Sequence, residues 1–76
     1  MPLVTTKQLL LDAQAGGYAI GAFNVENMEM VQAVVGAAEE LKSPVILQTT
    51  PSTVKYADLE YFYANVKTAA KKATVP

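Results

Sequence analysis

Seventy-six residues, 51 % of them apolar and 17 % charged, bound this chain to one small folded unit and make it too apolar for intrinsic disorder. Six lysines against seven acidic residues leave a net charge of -1 with no arginine, which argues against a basic nucleic-acid-reading surface. With no cysteine and no histidine, these residues cannot build a disulfide framework, a thiolate metal site or a His-dependent catalytic centre.

No apolar run approaches the roughly 20 residues needed to cross a bilayer. Met1-Pro2-Leu3-Val4-Thr5-Thr6 has no charged region leading into an apolar one, so no signal peptide is expected and a cytoplasmic setting is the default.

The first element reads as a helix. Thr5 and Gln8 have the spacing of a capping box, Val4 and Leu9 that of a hydrophobic staple, and Leu9, Leu10 and Ala13 form an apolar face. Gly16-Gly17 supplies a left-handed stop. Tyr18-Ala19-Ile20-Gly21-Ala22-Phe23 then carries no charge and ends at Asn24, the pattern of a strand buried on both faces.

Helix signals resume at Asn27, a capping residue. Glu29 suits the positive end of the helix dipole, and Val31, Val34, Val35, Ala38 and Leu41 recur at helical spacing. Gln32, Glu39 and Glu40 fall on the opposite face. Lys42-Ser43-Pro44 ends the helix, because proline disfavours a helical residue before it. Val45-Ile46-Leu47 predicts a second buried strand, finishing in Gln48-Thr49-Thr50, and Pro51-Ser52-Thr53 reads as a turn. Leu59, Phe62, Tyr63, Val66, Ala70 and Ala73 trace a long amphipathic helix, with Lys71 and Lys72 at its negative end, before an extended Thr74-Val75-Pro76.

This alternation predicts an α/β fold with a parallel strand pair. Two parallel strands alone leave bare edges and an uncovered face, so the chain is expected to be part of a larger α/β protein.

Ligands of such proteins gather beyond the carboxyl ends of the strands. Those ends hold Asn24-Val25-Glu26-Asn27 and Gln48-Thr49-Thr50-Pro51-Ser52-Thr53, rich in neutral hydrogen-bonding groups. Asn27 and Ser52 read first as helix caps. Asn24 and Thr50 are the stronger functional candidates, each closing an apolar strand at its loop. Glu26 reads as a solvated loop charge rather than a catalytic base. Gly16, Gly17 and Gly21 spell no phosphate-loop fingerprint. Met28 and Met30, like Tyr56, Tyr61 and Tyr63, are expected in the core or at a contact.

Thr6-Lys7-Gln8-Leu9-Leu10, Asp12 to Ala19, Gly21-Ala22-Phe23-Asn24-Val25, Ser43 to Gln48 and Thr49-Thr50-Pro51 together resemble, in order, the start of the class II ketose-bisphosphate aldolases. The family includes fructose- and tagatose-1,6-bisphosphate aldolases, and the stretch around Thr50-Pro51 is similar to the tagatose-type branch. The resemblance implies the N-terminal portion of a (β/α)8 barrel, with a capping helix and then the barrel's first two strands, each followed by its helix. It implies reversible, zinc-dependent cleavage of a ketose 1,6-bisphosphate to dihydroxyacetone phosphate and an aldehyde such as glyceraldehyde 3-phosphate.

Carried over by position, Asn24 and Thr50 become substrate-binding residues and Gln48 a supporting neighbour. The family's catalytic Asp and its zinc ligands match no residue of this sequence. Residues 1–76 are accordingly expected to be a fragment of one barrel domain, inactive alone, from a homo-oligomeric cytoplasmic enzyme with zinc, a sugar bisphosphate substrate and no nucleic-acid or membrane partner. A stand-alone interaction module, or part of another (β/α)8 sugar-phosphate enzyme, are the alternatives, since barrel architecture does not fix chemistry.

Overall fold

The computed structural model describes residues 3–76; Met1-Pro2, part of the leader reading, lies outside the described residues. Its elements run α1 (Thr6–Gly16), β1 (Ala22–Asn24), α2 (Met28–Leu41), β2 (Ile46–Gln48), α3 (Pro51–Ala57) and α4 (Leu59–Lys72). The two strands pair in parallel, with Ala22 opposite Ile46, Phe23 opposite Leu47 and Asn24 opposite Gln48. This is the expected α/β class, with α2 as the crossover that returns the chain to the same edge of the sheet.

Local chemistry explains the boundaries. At the end of α1, Gly17 takes a left-handed conformation (φ 72°), and the Gly17 and Tyr18 amides donate back to the Gln14 and Ala13 carbonyls at 3.4 and 3.0 Å. That is a Schellman motif, and glycine adopts it without steric penalty. The same motif closes α2 on a lysine: Lys42 has φ 51°, with the Lys42 and Ser43 amides on Glu39 and Ala38 at 3.2 and 2.9 Å. At the other end of α2, Asn27 caps as expected, its side chain accepting the Met30 amide at 2.8 Å.

Two local expectations need correction. The capping box does not form: Thr5 makes no side-chain cap, and Gln8 turns forward, its amide donating to Asp12 at 2.8 Å. Pro51-Ser52-Thr53 is not a turn but the first turn of α3, with Thr50, rather than Ser52, accepting the Thr53 amide as the cap. Proline at the first helical position has the right φ and loses no intrahelical bond there. After a break at Asp58 (φ 75°), α4 is the anticipated long helix, at Leu59–Lys72.

The core is small. Only Ala13, Val25, Val31 and Ala38 are buried apolar residues among those described, and the accessible surface is 5425 Å². A folded monomer of this mass exposes about 4500 Å². The radius of gyration of 12.5 Å likewise exceeds the roughly 11 Å of a compact chain of this length, and the shape is a slab of 37 × 23 × 17 Å.

The expectation of strands buried on both faces therefore fails within these residues: β1 is exposed throughout, Phe23 by 49 %, and β2 is half-buried. Among the described residues the pair is thus left largely uncovered. Met28, Met30, Tyr56, Tyr61 and Tyr63 also stand exposed rather than in the core, as does Leu41 at the end of its apolar stripe. Lys71 and Lys72 form a solvated helix end, as expected.

Candidate functional site at the carboxyl ends of the strands

In a parallel pair the two carboxyl ends point the same way, which brings the loops after β1 and β2 together. Pairing continues one residue beyond β1, where the Val25 amide donates to the Gln48 carbonyl at 3.1 Å. Val25 is fully buried, so the backbone that carries Asn24 is anchored while the Asn24 side chain stays exposed. Gln48, directly opposite, is exposed as well. An asparagine amide offers two donors and one acceptor, and a glutamine the same. The strand ends thus present paired amides suited to hydroxyl, carbonyl or phosphate oxygens.

Thr50 lies two residues past β2, half-buried, with its hydroxyl engaged. Its Oγ1 is 3.0 Å from the Ser52 hydroxyl, 3.2 Å from the Thr53 hydroxyl and 3.4 Å from the Thr53 amide, which donates to it. Thr53 is 1 % exposed, and its hydroxyl donates to Glu26 Oε1 at 3.3 Å. Glu26 is therefore not merely a solvated charge: it joins the loop after β1 to α3. Sequence reading placed Thr53 in a turn and missed its burial. The signal that could have found it is Thr50-Pro51, a cap followed by a proline at the first helical position.

A second carboxylate also works across a long sequence separation. Glu39, on the polar face of α2, accepts hydrogen bonds from the Thr74 hydroxyl, the Thr74 amide and the Val75 amide. The Thr74 hydroxyl, then the Thr74 amide, hold its pKa below the ordinary value of 4.5 against an opposing desolvation. Just beyond, the Pro76 carbonyl accepts the Val45 amide at 3.1 Å.

Two hollows of the molecule are lined by none of Asn24, Gln48 and Thr50. One of about 220 Å³ is lined by Leu3, Val4, Leu9, Val35 and Val66 beside β2, and another of about 350 Å³ by Phe23, Ala33, Val34, Leu41 and Pro44. Both are almost wholly apolar, as uncovered packing faces are, and carry no convergent polar groups. No cluster of three or more Asp, Glu, His or Cys that could hold a metal occurs among the described residues. No helix among the described residues is long and apolar enough to cross a membrane.

The order of elements, the parallel pair and the polar strand ends agree with the resemblance read from the sequence. A family model described as fructose-bisphosphate aldolase class-II matches residues 4–76, nearly the whole chain. The chain belongs to the class II fructose-bisphosphate aldolase family.

Proposed function

We propose that these residues form the opening portion of a (β/α)8 barrel whose complete enzyme reversibly cleaves a ketose 1,6-bisphosphate to dihydroxyacetone phosphate and glyceraldehyde 3-phosphate. In this reading Asn24 and Thr50 face the substrate and Gln48 supports them, while the enzyme works in the cytoplasm as a homo-oligomer. The observation that carries the reading is a juxtaposition. In a chain matching the family over residues 4–76, Asn24 and Gln48 stand in register at the carboxyl edge of the sheet, with Thr50 two residues beyond.

The role of these side chains follows from their chemistry. The Asn24 amide can donate to a ligand oxygen and accept from a ligand hydroxyl at the same time. Buried Val25 beneath it keeps that amide from retreating, so little ordering is left to be done on binding. Thr50, fixed as the cap of α3, holds Ser52 on its hydroxyl at the rim.

The family is generally zinc-dependent, and such a metal supplies Lewis-acid polarisation of a ketone. The residues present do not fit it: the sequence has no His or Cys, and no acidic cluster stands in their place among the described residues. In the proposed enzyme the ligands belong to chain outside these residues, and no step is assigned to the metal here.

The test is an aldol-cleavage assay on the complete polypeptide that carries this segment, offered fructose and tagatose 1,6-bisphosphates separately. Cleavage of either supports the reading and identifies the substrate. Absence of cleavage of both, with and without added zinc, sinks it.

A further inference from the structure

The loops after β1 and β2 are tied together by a buried hydroxyl. Thr53 is 1 % exposed, sits in the first turn of α3, and reaches Glu26 across 27 positions of sequence at 3.3 Å. Few other side-chain bonds span so much of the chain. It lies next to the two residues whose relative placement matters most, since Glu26 follows Asn24 by two positions and Thr53 follows Thr50 by three.

Counting protons gives the tie a direction. A carboxylate only accepts, so Thr53 spends its single hydroxyl proton on Glu26. The 3.2 Å contact between the Thr50 and Thr53 hydroxyls is then donated by Thr50. By the same reasoning the 3.0 Å contact between Thr50 and Ser52 is donated by Ser52. Three hydroxyl protons therefore point one way, from Ser52 through Thr50 and Thr53 to Glu26. Thr50 Oγ1 also accepts the Thr53 amide at 3.4 Å, which leaves its hydroxyl one orientation.

We infer that Glu26 and Thr53 are positioning residues: they lock the loop after β1 onto the helix after β2 and so fix Asn24 and Thr50 relative to each other for a ligand. This rests on the substrate-facing role proposed above for those two residues. Neither positioning residue needs to touch the ligand. Their contribution is to remove freedom that binding would otherwise have to freeze out.

The test uses the complete chain with Thr53→Val, Thr53→Ser and Glu26→Ala. Valine keeps the shape of the buried side chain and deletes the proton, serine restores it, and the alanine change lies at an exposed position that does not threaten folding. Hydrogen exchange at residues 25–27 is expected to quicken several-fold in Thr53→Val and Glu26→Ala and to stay at the wild-type rate in Thr53→Ser. In turnover of the ketose bisphosphate, KM should rise about fivefold in the same two variants, the weight of one ordinary hydrogen bond. kcat should stay within about a factor of two, since lost uniform binding acts on KM alone. Unchanged exchange in both variants overturns the inference, as does a Thr53→Ser protein as impaired as Thr53→Val, or a fall in kcat with KM constant. If the wild-type enzyme fails to turn over the substrate, the functional reading falls while the exchange measurement still decides the tie.

Discussion

Asn24 sits directly opposite Gln48 at the ends of two parallel strands, and the Val25-to-Gln48 backbone bond carries their pairing one residue further. That places two exposed amides side by side on an anchored backbone. The relationship depends on register: a slip of one strand by one residue would turn its side chain to the opposite face from the other.

Replacing Asn24 with alanine in the complete enzyme should therefore weaken catalysis without unfolding the protein. The expected loss is about tenfold in kcat/KM, the size of one well-made hydrogen bond to a polar ligand. The thermal midpoint should not move, because the side chain is exposed. Steady-state kinetics alongside a melting curve check both parts, and unaltered kinetics would refute the assignment.

Glu39 makes a pH-dependent contribution of predictable sign. Its folded-state pKa lies below the ordinary 4.5, so its stabilising effect is complete above that value and is lost as pH falls through the lower folded value. Following the Glu39 side-chain carboxyl carbon by NMR in the complete chain should give a midpoint under 4.5. Glu39→Gln should speed exchange of the Thr74 and Val75 amides at neutral pH. A midpoint at or above the ordinary value, with no change in exchange, would mean that the carboxylate does not hold this segment.

Lys42 carries a left-handed backbone that glycine adopts more easily. Relief of about 1 kcal/mol of strain, set against the roughly 0.5 kcal/mol of extra freedom glycine has when unfolded, predicts a small net gain for Lys42→Gly. Gly17→Ala, at the matching position of α1, should lose about 1 kcal/mol. Denaturant unfolding of the complete chain with both variants separates the two, and a destabilised Lys42→Gly would show that the lysine side chain does more than end a helix.

The isolated 76-residue chain should not melt sharply. Only four apolar residues are buried among those described, and 5425 Å² of surface is exposed where about 4500 Å² suffices for a self-contained monomer. Calorimetry on the purified segment, with sedimentation to detect association, is the check. A cooperative transition from a monomer would contradict the uncovered faces described above.

Much of this architecture was legible because it depends on short-range rules. Asn27 as a cap and Gly17 as a stop follow from side-chain reach and from the absence of a Cβ, and neither needs a tertiary partner. The region after β2 was less legible. Proline signals both breaks and helix starts, and only the threonine before it tips the balance at Pro51. Strand burial was overstated because apolar runs such as Val45-Ile46-Leu47 record what a strand needs over it, not whether that cover lies within the same residues. Asn24 and Thr50 are proposed for the site from their position after apolar runs. The tie between Glu26 and Thr53 was invisible, because a contact spanning 27 positions leaves no local pattern.

The hydrogen bond from Val45 to Pro76 also bears on the outer margin of β2. Ile46 turns its amide toward β1, to the Gly21 carbonyl at 3.0 Å, so Val45 turns its own toward the opposite flank. Pro76 occupies that flank at its first rung and, being an imino acid, has no N–H with which to invite a stranger. A donor that would otherwise stand bare on the outer margin of β2 is thereby satisfied by a residue distant in sequence.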